Sequence, residues 1–174
     1  VLKAMQDGLS AIIICPTAVV GPYDFKPSAM GSVIHDMSKG RLSMLVAGGF
    51  NWVDVRDVAK GAIDAWEGQH FGQTFLFGGH WKETVEVART IDEHRDQVKR
   101  RTALPLWTAQ LAAPFAEAWG WLRSRPSRFS AESLFALQHH KTISCTKARE
   151  VLSYQARPLR DSLADTVAWF EGQP

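Results

Sequence analysis

The stretch AIIICPTAVVGPYDFKPS, residues Ala11–Ser28, constrains this chain more than any other. Ala11–Cys15 is short, apolar at every position and rich in β-branched isoleucine, with Gly8 before it and Pro16 after it. A run of this kind predicts a strand buried on both faces, as in a parallel sheet covered by helices. Pro16 has no N–H to give to a ladder, so the strand is expected to stop there. Gly21-Pro22 should then turn the chain. In open α/β sheets ligands lie beyond the carboxyl ends of the strands, which puts the first candidate site on this loop.

The rest of the chain reads as alternating short strands and amphipathic helices. Val1–Ser10 looks like the end of a helix that stops near Gly8. Ser28 is a good N-cap for a helix carrying Met30, Val33, Ile34 and Met37 inward and closed by Gly40. Leu42–Val46 is a second apolar run, closed by Gly48-Gly49. Asp54 caps a further helix, with Asp57 in its first turn and Val58, Ala62, Ile63 and Trp66 as its expected buried stripe. Phe71–Gly79 predicts a strand ending in a glycine turn, and Thr84–Lys99 a helix with Val85, Ala88, Ile91 and Val98 on one side. Ser130–Gln138, a segment from Ser144 or Thr146 to Tyr154, and Arg160–Phe170 are the remaining helices expected, the last burying Leu163, Val167 and Phe170.

Composition excludes several kinds of partner. With 45% hydrophobic and 22% charged residues, 174 residues suffice for a soluble domain with a sizeable core. A formal net charge of +2 is too small to suggest nucleic acid. Cys15 and Cys145 read as free thiols, in keeping with a reducing cytoplasm. The apolar stretch Leu104–Leu122 lies between Lys99-Arg100-Arg101 and Arg123, Arg125 and Arg128, which raises membrane contact. Pro105, Gln110, Pro114 and Glu117 interrupt it, so a helix of a globular lobe is favoured. Capping accounts for Asp54 and Asp57, and no histidine stands near them at ligand spacing, so no metal is expected. His139-His140 read as surface residues.

The segment CPTAVVGPYDFKPS resembles the loop after the sixth strand of the extended short-chain dehydrogenase/reductases, the NAD-dependent epimerase/dehydratase superfamily, in its dihydroflavonol reductase-like branch. FNWVDVRDVAKG at Phe50–Gly61 and KAREVLSYQARPLRDSLADTVAWF at Lys147–Phe170 agree with it in order and spacing. The resemblance implies an α/β fold: the carboxyl-terminal part of a Rossmann-type doubly wound parallel sheet plus a small, mostly helical substrate-side lobe. Residues 1–80 are then expected to hold the dinucleotide-binding part with substrate-loop insertions, and residues 81–174 the lobe, the two interleaved.

It also implies a site. The cofactor is expected to be NAD or NADP, with main-chain groups at Pro16, Thr17 and Val19 holding the nicotinamide carboxamide. Tyr23, Phe25, Lys26 and Ser28 are expected along one wall of the substrate pocket. The family's catalytic Tyr-x-x-x-Lys is not met here: Tyr23 and Tyr154 are the two tyrosines, and Pro27 and Pro158 stand four residues after them. No catalytic residue is therefore expected in this chain. The Tyr, the Lys and the glycine-rich phosphate loop are expected upstream, in the missing amino-terminal half of a longer enzyme. Where nucleotide-sugar enzymes of the superfamily carry Asn and Arg, this chain has Ala18 and Phe50, which make no such contacts to a diphosphate. The expected activity of the parent is hydride transfer to or from a small, weakly polar carbonyl/alcohol substrate, with a homodimer compatible with it. A sugar-directed epimerase/dehydratase and a non-catalytic dinucleotide sensor are the alternatives.

Overall fold

The computed structural model describes residues 1–95, 101–105, 108 and 142–172. In chain order these form α1 (Leu2–Gln6), β1 (Ile13–Pro16), β2 (Ala18–Val20), α2 (Ala29–Ser38), β3 (Met44–Val46), β4 (Gly49–Asp54) and α3 (Val55–Glu67). They continue with β5 (Thr74–Phe77), β6 (His80–Glu83), α4 (Thr84–His94), β7 (Thr102–Leu104), α5 (Thr146–Leu152) and α6 (Leu159–Glu171).

The opening apolar run does form a strand, but a less enclosed one than its composition predicts. β1 pairs in parallel with β5, from Ile13 opposite Thr74 to Pro16 opposite Phe77. Its residues are half-buried up to Cys15 and exposed at Pro16. The reason lies in the cover: α3 and α5 pack on the face that buries Phe75 and Phe77, whereas Leu76 on the other face is 37% exposed. Among the described residues β1 has a strand on one edge only.

The segment expected as loop then resumes as a strand. The Thr17 N–H donates to the Phe77 carbonyl at 3.0 Å, and one residue later Ala18 stands opposite Trp52 of β4. Thr17 is thus where the chain exchanges one parallel partner for another. β4 and β6 are strands that the sequence reading missed; β4 lies between β2 and antiparallel β6. β7, also missed, pairs in parallel with β3. The architecture is α/β with parallel pairs, but among the described residues the strands fall into three small sheets and one pair is antiparallel.

The pleat of β4 sends alternate residues to opposite faces. Trp52 joins Val20, Ile34, Met37, Ile91 and Leu163 in one core beneath α2, α4 and α6. Val53 joins Ala65, Phe75, Phe77 and Ala148 in the other. Most helix limits match their sequence signals. Ser28 caps α2, its Oγ accepting from the Gly31 N–H at 3.0 Å. Gly40, at φ 69°, closes α2, with the N–H groups of Gly40 and Arg41 returning to Met37 and Asp36. α6 buries Leu163, Val167 and Phe170 as expected.

The buried face of α3 is a correction. Asp57, Gly61 and Ala65 face inward, and Ile63 and Trp66 are 56% and 62% exposed. Phe77 packs so closely on α3 that a Cβ at Gly61 would overlap its ring, which turns the small residues inward and the large ones out. α4 ends at His94, and residues 96–100, including Lys99, Arg100 and Val98, lie outside the described residues. So do most of Leu104–Leu122, the arginines at 123, 125 and 128, the expected helix Ser130–Gln138, and His139-His140. Among the described residues no helix is long and apolar enough to cross a membrane.

One buried ion pair ties the strands to the helices. The Arg101 guanidinium, 4% exposed, donates to both Asp92 oxygens at 2.8 and 2.6 Å and to the carbonyls of Leu42 and Met37 at 3.0 and 2.8 Å. Removing one partner of such a pair leaves a buried charge uncompensated. Arg101→Ala should therefore lower stability by about 3 kcal/mol, and Arg101→Lys, which lacks the planar fork, should recover little of it. Urea unfolding midpoints of the two variants measure this.

Candidate functional site

A cavity of about 220 Å³ opens beside the carboxyl end of β2, where the strand-exchange segment turns into the loop. Val19, Val20, Tyr23, Asp24, Ser28 and Val55 line it. Three of the expected site residues, Val19, Tyr23 and Ser28, therefore meet here. Pro16 and Thr17 stand just upstream, and Phe25 and Lys26 are exposed on the outer side of the loop. Phe25 and Tyr23 each meet the Trp169 ring edge-on, with centroids 5.0 and 5.1 Å apart. Tyr23 itself has φ 71°, which is uncommon for a bulky residue and marks the loop as held in shape.

The strand exchange is pinned by Asn51 of β4. Its Oδ1 accepts from the Thr17 hydroxyl at 3.1 Å and from the Gly79 N–H at 2.7 Å. The main-chain donor of Thr17 is used in the β1–β5 ladder and Pro16 has none, so a main-chain donor for a ligand has to come from Ala18–Val20. The Pro16 and Thr17 carbonyls are the neighbouring acceptors. Sequence reasoning missed Asn51 and Asp24. The signals were present: a single amide inside the apolar FNWV run calls for buried partners, and Asp24 shortly before a helix is an Asx-turn pattern.

Behind the cavity, where Val20 pairs with Asp54, two carboxylates meet two guanidinium groups. Asp54 accepts from Arg56 Nε and Nη2 at 2.9 and 2.8 Å, and Arg56 also pairs with Asp165 of α6 at 2.7 Å. Asp57 accepts from the Arg157 N–H and Nε, both at 2.8 Å. The cap at Asp54 is as expected, its Oδ1 accepting from the Arg56 N–H. Asp57, by contrast, does more than face a helix end: it anchors the segment that enters α6. Burial alone would raise the Asp54 carboxyl. Hydrogen bonds from Arg56 and Ser162 and the charge of Arg157 outweigh it, and the carboxyl is held below its ordinary range. These groups are committed to one another, which leaves them a structural task.

Tyr154 is likewise committed. Its hydroxyl donates to the Gly78 carbonyl at 3.0 Å, and burial, then the nearby Asp57 charge, pushes its pKa upward. Cys15 and Cys145 are free, and the Cys145 sulfur accepts from the Gly78 N–H at 3.0 Å. Among the described residues no group of three or more His, Cys, Asp or Glu is placed to hold a metal ion. A larger groove of about 460 Å³ lies between β6, α4 and the start of α6 and contains none of the expected site residues.

With this geometry in place the chain can be set beside known proteins. No family model matches it. Over 98% of its length it is 30% identical to sterol demethylase protein B of Methylococcus capsulatus (strain Bath) and 25% identical to a putative dihydroflavonol 4-reductase of Synechocystis sp.. It covers 52% and 51% of those proteins, so the chain spans about half the length of the curated relatives it matches. The crystal structure of gox2253 superposes with a TM-score of 0.79 at 29% identity, covering 98% of this chain and 52% of that one. The fold is also that of UDP-glucuronic acid 4-epimerase from Bacillus cereus, solved with UDP-glucuronic acid and NAD (TM-score 0.68, 13% identity), and of RMD from Pseudomonas aeruginosa, solved with NADPH (0.64, 12%). The chain is a relative of the extended short-chain dehydrogenase/reductases, the NAD-dependent epimerase/dehydratase superfamily, and is dihydroflavonol reductase-like.

The depressed Asp54 carboxyl has a consequence for acid stability. Its contribution is full above the unfolded value of about 3.9 and is lost as pH falls through the lower folded value. Asp54→Asn should cost about 2 kcal/mol at neutral pH and flatten the acid limb of the stability–pH curve. Acid limbs of equal slope in the two proteins, measured by urea unfolding between pH 2 and 6 (roughly the range over which carboxylates titrate), would contradict the assignment.

Proposed function

We propose that this chain forms the nicotinamide-side and substrate-side walls of an NAD(P)-dependent oxidoreductase acting on a small, weakly polar carbonyl/alcohol substrate. The observation that carries the reading is the cavity at the end of β2, bounded by Val19, Val20 and Val55 and bordered by main-chain groups. Residues 1–80 carry the cofactor side and residues 81–174 contribute the substrate-side lobe. Main-chain groups at Pro16, Thr17 and Val19 hold the carboxamide, since an amide needs one donor and one acceptor at fixed positions. The nicotinamide, when bound, supplies or accepts the hydride. Val19 and Val55 keep water from that face, and Tyr23, Phe25, Lys26 and Ser28 form the loop over the substrate. A Tyr expected upstream gives the proton when the carbonyl is reduced and takes it when the alcohol is oxidised, and an upstream Lys lowers its pKa. Ala18 and Phe50 are taken up in packing, against β4 and against the Trp52 ring at 5.5 Å, which favours a substrate without a nucleotide diphosphate.

The whole protein, with its upstream half, should reduce simple ketones or oxidise simple alcohols with NAD(P) and leave UDP-glucose unchanged. Turnover of the nucleotide sugar with none of a simple ketone or alcohol would overturn the choice of substrate. Val19→Pro removes a main-chain donor beside the cavity and should weaken cofactor binding about fivefold or more in a protein that keeps its melting temperature. An unchanged cofactor affinity in that folded variant would move the contact elsewhere. Expressed alone, the chain should neither bind the dinucleotide tightly nor catalyse, because the edge of β1 that is unpaired among the described residues and the exposed Leu76 face invite self-association. Sedimentation of the isolated chain, with and without NAD or NADP, checks this.

A further inference from the structure

We propose that Trp169 is a positioning residue of the candidate site, setting substrate affinity by holding Tyr23 in the cavity wall. The proposal rests on the functional reading above and deepens it. Trp169 is half-buried in the last turn of α6. Tyr23 lines the cavity and Trp169 does not, so Trp169 can act on a ligand there only through Tyr23. The helix is fixed on both sides of it. Asp165, one turn earlier, pairs with Arg56 at 2.7 Å, and Glu171, two residues later, pairs with Arg95 at 2.8 Å. Phe170 between them is buried and meets the His35 ring of α2 edge-on, with centroids 5.0 Å apart.

The loop depends on this contact. Tyr23 and Phe25 are exposed, and among the described residues Trp169 is the one ring that each of them meets, at 5.1 and 5.0 Å. Tyr23 also holds φ at 71°, a conformation that a bulky residue keeps only where its surroundings restrain it. The edge-on packing supplies that restraint. The indole N–H of Trp169 is shielded from solvent and has no acceptor among the described residues. An unpaired buried donor is unfavourable, and a phenylalanine would avoid it. What the indole adds is breadth, since its fused rings meet Tyr23 and Phe25 together. The cofactor side has other supports: Asn51 pins Thr17, and β2 is paired with β4. Loss of Trp169 therefore loosens the substrate wall and leaves the strand exchange in place.

The test uses the whole protein, with its upstream half, and has two readouts. The first is reduction of cyclohexanone at saturating NADH or NADPH. Trp169→Leu should raise KM about tenfold and leave kcat and cofactor affinity unchanged. Trp169→Phe, which keeps a ring, should recover part of the loss. In a Tyr23→Leu background Trp169→Leu should add less than about twofold, because its effect runs through Tyr23. An unchanged KM, an equal loss of cofactor affinity, or full additivity with Tyr23→Leu overturns the proposal. The second readout needs no turnover. In protein labelled with 3-fluorotyrosine, the Tyr23 fluorine signal, identified by its loss in Tyr23→Phe, should move in Trp169→Leu while that of buried Tyr154 stays. If Trp169→Leu fails to fold, Trp169→Met, which fills space without a ring, carries the same expectations. A wild-type protein that reduces no cyclohexanone refutes the oxidoreductase reading for simple ketones. The fluorine signal then still decides the role of Trp169: movement of Tyr23 upholds it, and an unmoved Tyr23 overturns it.

Discussion

The pairing of Asp54 and Asp57 with Arg56 and Arg157 is the interaction on which the rest of the arrangement depends. Asp54 is the last residue of β4, the partner of Val20 at the end of β2, and the cap of α3. Through Arg56 it reaches Asp165 of α6, and through Asp57 the main chain at Arg157 is fixed just before α6 begins. Charges so placed are stable only when each has its partner, because a buried unpaired carboxylate costs several kcal/mol. The cluster thereby joins β4 and α3 to α6 beside the end of β2. The cavity opens beside that end, with Val55, the residue after Asp54, in its wall.

On that frame the candidate binding face is built by a change of strand partners. The chain leaves β5 at Thr17 and joins β4 at Ala18, and Asn51 holds the crossing by accepting from Thr17 and Gly79 together. A switch of this kind leaves main-chain groups at the end of a strand free of one ladder and not yet bound into the next. It is the situation in which α/β sheets bind ligands. The loop that follows is shaped from outside by Trp169 of α6 against Tyr23 and Phe25, and from inside by Asp24 against Ser28. One helix thus supports the site at two points, by charge at Asp165 and by aromatic packing at Trp169.

What the sequence shows and what it hides follow from how local each signal is. The cap at Ser28, the left-handed closure at Gly40 and the buried stripe of α6 are governed by neighbours within a few residues, and they were legible. β2 and β4 were not. PTAVVGP carries turn residues at both ends of a three-residue strand, and FNWVD lacks clean alternation because its two faces enter two different cores. The face of α3 was misread because Gly61 is selected by the Phe77 ring, which comes from a distant strand. The partners of Asp57, Asn51 and Asp92 are equally distant, so no spacing rule reveals them. The loop from Pro16 to Ser28 was legible as a candidate site from its place after an apolar strand and from its resemblance. The hydrogen bonds by which Asp24 holds Ser28 were not.

The central claim is that the main chain at the strand exchange, Pro16 to Val19, receives the nicotinamide carboxamide. A crystal structure of the whole protein with NAD or NADP bound tests this most directly. The account predicts the carboxamide at about 3 Å from main-chain donor and acceptor atoms of this segment, with the reactive ring face toward the cavity lined by Val19 and Val55. A well-ordered nicotinamide whose carboxamide is held by other residues, with Pro16–Val19 out of contact, would contradict it.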